Sequence, residues 1–241
     1  MSAIWLIARR ELSAFFLSPL GYIVVAAVLC LHGLWFNVVV MNGEQTSYKV
    51  LEGFFFHSSG FVAVVAVLLS MRLVAEERQT GTIVLLQTSP AAEWQIVAGK
   101  FLGGFLFLCG YIALTGYMPL LVLVNGKVTA GHLLAGYLGL ALLGAAVTAV
   151  GTLASSLVSS QLLAAVLGGV MTMALFVCWM IARKVDGPLG DFIGYLDLMD
   201  VHYRSFSRGV VKSSTIVYYL SIAYAALLGA TAVMSARRWR G

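Results

Sequence analysis

The placement of charge along this chain constrains it more than any other property. No Asp, Glu, Lys or Arg occurs between Glu11 and Glu44, from Gly53 to Met71, from Phe101 to Gly126, from Val128 to Ala182 or from Ser213 to Ala236. A bilayer core about 30 Å thick takes about 20 apolar residues per helix. Four of the runs therefore hold one span each. The run Val128–Ala182 is long enough for two helices and a turn, which Ser155-Ser156-Leu157-Val158-Ser159-Ser160-Gln161 supplies. The total is six transmembrane helices. The runs are continuously apolar and do not alternate, so helices are expected and a barrel is not.

Only 10% of the residues are charged, against roughly 25% in soluble domains. The two largest polar stretches, 72–100 and 183–212, are too small for a core of their own. The expectation is an all-α polytopic membrane protein in which residues 1–241 form a single transmembrane domain. The N-terminus does not read as a cleavable signal, because its first apolar run is too long and no small-x-small site follows. Arg9-Arg10 is no more than a weak twin-arginine resemblance. Cys30, Cys109 and Cys178 each stand alone in an apolar run. That excludes a disulfide framework or zinc ribbon and leaves them as small buried hydrophobes.

An even number of spans puts both termini on one side. Arg9 and Arg10 lie at one terminus, and Arg237, Arg238 and Arg240 at the other; the positive-inside rule puts both in the cytoplasm. The segment carrying Arg72, Arg78 and Lys100 follows them there. The rule is not cleanly obeyed, because 183–212 holds Arg183, Lys184, Arg204, Arg208 and Lys212 and this topology places it outside.

Residues 1–18 set Ile4, Ile7, Leu12, Phe15 and Phe16 roughly on one helical face, with Arg9, Arg10 and Ser13 nearer the other. This suits an interfacial helix lying in the plane of the membrane, with Arg9, Arg10 and Glu11 at its polar edge. Pro19-Leu20-Gly21 then breaks it. The spans are expected at 20–41, 54–74, 97–124, 132–155, 161–182 and 214–235, with Pro119 kinking the third. Gly99 and Gly103 form a GxxxG that allows close helix packing within the bundle. The segment 183–212 keeps many apolar residues and reads as helical stretches on the outer face, dipping toward the membrane where protein covers the backbone.

The spans offer little chemistry. Intramembrane carboxylates and cations mark ion pathways, and the runs contain none. His32 is the one titratable group well inside a run, and it reads first as a packing residue. No P-loop is present: Gly99-Lys100 is followed by Phe101 and Gly126-Lys127 by Val128, where a Ser or Thr is required. His32, His57, His132 and His202 have no metal-ligand spacing, and Ser155, Ser156 and His132 have no spacing that makes a hydrolase. No catalytic residue, metal or nucleic-acid partner is expected. Any work this chain does draws its energy from elsewhere.

The strongest local feature follows the second span, at 75–90. Glu76, Glu77 and Arg78 extend the span into the cytoplasm, Gly81 permits a bend, and a short helix from Thr82 to Thr88 ends before Pro90. Read without any family in view, this is an ordinary loop with snorkelling charges. At these residues, however, the chain resembles the ABC-2 class of exporter permeases. The resemblance lies in Glu76-Glu77-Arg78, Gly81-Thr82, Leu85-Leu86, Thr88, Pro90 and Gly99-Lys100. It implies that 75–90 is a coupling helix docking on a separate ATPase, and that the N-terminal helix is the family's connecting helix. Tyr195-Leu196 and His202-Tyr203-Arg204-Ser205-Phe206-Ser207-Arg208-Gly209-Val210-Val211 look like the gliding-motility-type subgroup, which has relatives in bacteria that do not glide. Thr82-Ile83-Val84-Leu85-Leu86 departs from relatives that carry an acidic residue after the Gly-Thr.

The resemblance implies a permease subunit in the bacterial cytoplasmic (inner) membrane, not itself an enzyme. Its partners would be two copies of an ABC ATPase, which hold the ATP and Mg, and a second permease subunit, identical or paralogous. An extracytoplasmic accessory protein is a further partner of that kind. The alternative is a non-transporting membrane anchor through which a partner ATPase does mechanical work. A self-sufficient channel or carrier is disfavoured by the lack of charge inside the runs.

Overall fold

The computed structural model describes residues 3–40, 46–82, 91–125, 129–185 and 187–238. Among these the chain is all-α, with no strand. The helices are α1 (Ala3–Leu17), α2 (Pro19–Trp35, continued by a π-helical turn Phe36–Val40), α3 (Ser47–Ser70), α4 (Ala75–Gln79), α5 (Glu93–Leu114) and α6 (Tyr117–Asn125). They are followed by α7 (Ala130–Leu157), α8 (Gln161–Ala182), α9 (Pro188–Tyr195), a second π-helical turn Met199–Tyr203, α10 (Arg204–Ser207) and α11 (Ser213–Arg238). Six stretches are long and apolar enough to cross a membrane, at Gly21–Val39, Ser47–Gln79, Glu93–Val124, Ala130–Leu157, Gln161–Ala182 and Ser213–Ala236.

Helix α7 is the central mast. It packs on α3, α5, α8 and α11 and is buried along most of its length. Helices in lipid gain no hydrophobic advantage from touching one another, so close packing of small residues has to hold them together. Helix α7 meets that need with a nearly continuous face of Gly and Ala: a Cβ at Gly151 would fall 1.8 Å from Ser70 Oγ, and one at Gly139 would fall 2.5 Å from Phe206 Cβ. Helices α2 and α8 are peripheral and present Ile23, Leu31, Leu34, Val166, Val170 and Met173 outward.

The two ends of the bundle are distinct. At one end, α1 meets the start of α5 and the C-terminal part of α11: Ile7, Val74, Ile96, Val97, Ala230 and Met234 share one apolar cluster. This is termed the α1 end. At the far end lie the start of α3, the start of α7 and residues 187–212, joined by the His132 Nε2–H bond to the Ser207 carbonyl at 2.7 Å. The Tyr48 hydroxyl also reaches the Arg208 carbonyl there, at 3.4 Å.

Residues 196–203 run into the bundle. The Leu198 amide donates to the carbonyl of Leu175, within α8, at 3.3 Å. Tyr218 and Tyr219 of α11 donate to the carbonyls of Leu196 and Leu198 at 2.7 and 2.6 Å, and Tyr203 donates to the Phe55 carbonyl at 2.9 Å. Irregular backbone at this depth has no water to satisfy it, and tyrosine hydroxyls take that place.

Three expectations need correction. The second span does not continue as one helix past the membrane: α3 stops at Ser70, and residues 71–74 turn before α4. The third span does not bend at Pro119 itself but breaks at Thr115–Gly116, between α5 and α6. Proline clashes with the carbonyl four residues earlier and cannot donate to it, so the break sits where Thr115 would have been its partner. Ser155 and Ser156 belong to α7 and not to the turn, which covers only 158–160.

Candidate functional site

The α1 end holds the bundle's one group of buried, paired charges among the described residues. It arises where three elements cross. Helix α1 lies across the first turns of α5, and Gly99 and Gly103 permit the contact. A Cβ at Gly99 would approach Ile7 Cβ at 2.7 Å, and one at Gly103 would approach Glu11 Cβ at 2.6 Å and the Ala8 carbonyl at 2.9 Å. The GxxxG thus seats the chain's own N-terminal helix. Between the two glycines, Lys100 points into the contact and is only 1% exposed.

Its Nζ donates to Glu11 Oε1 of α1 and to Glu77 Oε1 of α4, each at 2.8 Å. Arg10 Nη2 stands 3.8 Å from the same Glu77 oxygen, while Glu77 Oε2 is buried with no hydrogen-bond partner. One ammonium therefore joins α1, α4 and α5. Removing a single partner from such a buried set leaves an uncompensated charge, at a cost of about 3–5 kcal/mol. The third span starts earlier than the expected 97: α5 begins at Glu93, which sets Lys100 two turns inside the helix.

Helix α4 is fastened on its other side by α7. Val74 and Ala75 have lost the helical carbonyls that would have accepted their amides, and both donate to Ser155 Oγ, at 3.1 and 2.9 Å. The same hydroxyl donates to the Met71 carbonyl at 2.9 Å. Arg78 Nη1 donates to the carbonyls of Ser156 and Val158, the latter at 3.4 Å, at the C-terminus of α7, where the helix dipole favours a cation. Arg72 pairs with Glu76 at 2.8 Å and lies 4.9 Å from the centre of the Phe15 ring.

The expected site residues thus divide. Glu77 and Arg78 turn into the bundle. Glu76 is partly exposed, while Gln79, Thr80, Gly81 and Thr82 face outward, with Gly81 at φ 74° closing the turn. On α1, Arg9 and Arg10 are exposed and Glu11 faces Lys100. Leu85, Leu86, Thr88 and Pro90 lie outside the described residues.

Ser155 and Arg72 have no place among the expected site residues, and Lys100 enters only as the end of the family-like pattern, with no role of its own. The signal for Lys100 was present, as a lone lysine inside a GxxxG, whereas the partners of Ser155 lie about eighty residues away. Among the described residues no group of three or more His, Cys, Asp or Glu side chains is placed to hold a metal.

A comparison with curated proteins found no match. The family profile described as ABC-2 family transporter protein matches residues 37–236, which covers five of the six candidate spans and only the last residues of the first, Gly21–Val39. The chain therefore belongs to the ABC-2 transporter family, as its multi-pass membrane component, the permease.

Proposed function

We propose that this permease is driven by a separate ABC ATPase, and that residues 75–90 are its coupling segment. The observation that carries this reading is the Lys100 ammonium shared by Glu11 and Glu77, which makes α1, α4 and the start of α5 one rigid body at a single end of the bundle. In this reading the partly exposed Glu76 and the outward Gln79 to Thr82 meet the ATPase. Glu77 and Arg78 are the fasteners that pass its movement inward. The α1 helix lies in the cytoplasmic interface of the bacterial inner membrane, and both termini are cytoplasmic. Two ATPase copies, which bind the ATP and Mg, serve two permease subunits, identical or paralogous, of the gliding-motility type. The output is export of a substrate, the apolar spans suiting lipid-like or amphipathic cargo. Coupling of this kind needs a two-state element that both partners bias.

The test separates fastening from folding. Lys100→Met alone strands two carboxylates and lowers stability by about 3–5 kcal/mol. The triple variant Glu11→Gln, Glu77→Gln, Lys100→Met removes all three charges and recovers most of that loss, since neutral replacement of a buried ionic set is often tolerated. In proteoliposomes with the copurified ATPase, the triple variant is expected to assemble, melt near wild type and lose ATP-dependent transport. Wild-type transport by that variant would remove the coupling role from this site.

A further inference from the structure

The far end of the bundle carries a cleft for which the coupling reading has no use. Its volume is about 390 Å³, and its walls include Lys49, Glu52, Phe56, Arg204, Ser207 and Arg208. Three cations thus face one carboxylate. Arg208 spends its Nε on Glu52 Oε1, at 2.8 Å, and its Nη groups donate to nothing among the described residues. Arg204 Nη2 pairs at 2.6 Å with Asp200 Oδ1, a residue outside the lining. Lys49 is exposed and makes no ion pair among the described residues. The arginine side chains remain 47% and 53% exposed, so their charge is held in place without being used up.

The depth of the cleft narrows what it could hold. Lys49 and Glu52 occupy the first two turns of α3, where the candidate span Ser47–Gln79 begins. Tyr48 and Trp35 nearby are about half exposed, and such aromatic side chains favour the headgroup level. Under the proposed orientation this end faces outward, where loops ordinarily carry few Lys and Arg; yet 183–212 keeps five. A functional ligand gives these cations a reason to be there. Guanidinium forks and an ammonium converging from α3 and α10 suit a tetrahedral oxyanion, which can accept from several donors at once. Phe56 gives the esterified side of such a group an apolar wall. We propose that this cleft binds a phosphate group, borne by a phospholipid headgroup or by a soluble phosphoryl compound. The chemistry is the same whichever side of the membrane this end faces.

The full chain, purified in a maltoside detergent, would be titrated with dioctanoyl phosphatidic acid and with inorganic phosphate, read by native mass spectrometry and calorimetry. Saturable binding of the lipid alone assigns the phosphate to a headgroup. Binding of inorganic phosphate in competition with the lipid assigns it to a soluble compound. Both outcomes support the site. Lys49→Gln and Arg208→Gln are each expected to weaken binding at least about tenfold, the scale of one charge-assisted hydrogen bond, while Lys184→Gln, outside the cleft, leaves it unchanged. Wild-type affinity in Lys49→Gln, which breaks no ion pair among the described residues, would overturn the proposal. So would equal binding of dioctanoylglycerol, or no saturable binding of either probe. Failure here leaves the coupling reading standing, because the cleft and the Lys100 contacts lie at opposite ends of the bundle.

Discussion

At the scale of single residues, the two most buried histidines near or within the spans have local explanations. His32 Nε2–H donates to Ser58 Oγ at 2.9 Å, the Tyr111 hydroxyl stands 3.4 Å from Nδ1, and the ring stacks on Phe61 at 4.5 Å. His202 stacks on Tyr218 at 3.7 Å and donates to the Tyr195 carbonyl at 3.0 Å. Burial holds the His202 imidazole below its ordinary pKa of 6.5, against the opposing pull of the Tyr195 carbonyl and the charge of Asp197. A base depressed in the folded state binds its proton more readily when unfolded, so its contribution to stability is present above 6.5 and lost as pH falls toward the folded value. Asp197 acts oppositely. Burial raises its carboxyl above the ordinary 3.8, although backbone amides resist the rise, so its contribution to stability is present below 3.8 and lost as pH rises through the raised value. Protection of the 196–207 amides, each rate taken relative to its intrinsic value at that pH, is therefore expected to fall as pH drops below 6.5, and His202→Phe should remove that step. An unchanged step in the variant would assign it to another group.

At the scale of elements, the break between α3 and α4 depends on one hydroxyl from α7. Ser155→Ala leaves the Val74 and Ala75 amides without an acceptor, at an expected cost of about 1–3 kcal/mol in thermal unfolding, and Ser155→Thr should recover much of it. A loss no larger than that of a surface serine would mean the break holds without this cap. Span number and fold class were legible because charge-free runs of span length are a local property. The break at Thr115–Gly116 was half legible: Pro119 announced a kink, but its position follows from the carbonyl four residues upstream. The fastening of α4 was not legible. Lys100, Glu11, Glu77 and Ser155 are distant in sequence and meet only once the bundle is packed, so each reads alone as an ordinary boundary charge or turn serine. The segment 183–212 was legible as partly apolar, but Tyr218 and Tyr219, which satisfy its backbone, stood inside the sixth span and looked like simple span residues.

At the scale of the whole molecule, α7 supports both ends, meeting α4 at one and the 196–208 region at the other. An apolar groove of about 370 Å³ runs between α3 and α8, with Gly60, Ala63, Ala165 and Gly169 in its wall, and small residues of this kind let a further helix approach closely. Native mass spectrometry of the complex extracted from its own membrane is expected to give two permease and two ATPase chains; a single permease per complex would contradict the proposed assembly. The grip of Arg78 on the carbonyls of Ser156 and Val158 has a mechanical consequence here. Only residues 158–160 separate α7 from α8, so that arginine holds a drawbar whose other end is the head of the fifth span. If α4 moves as the coupling reading proposes, the pull reaches α8 through its own main chain, and α8 carries it onto α7 and α3, against which it packs.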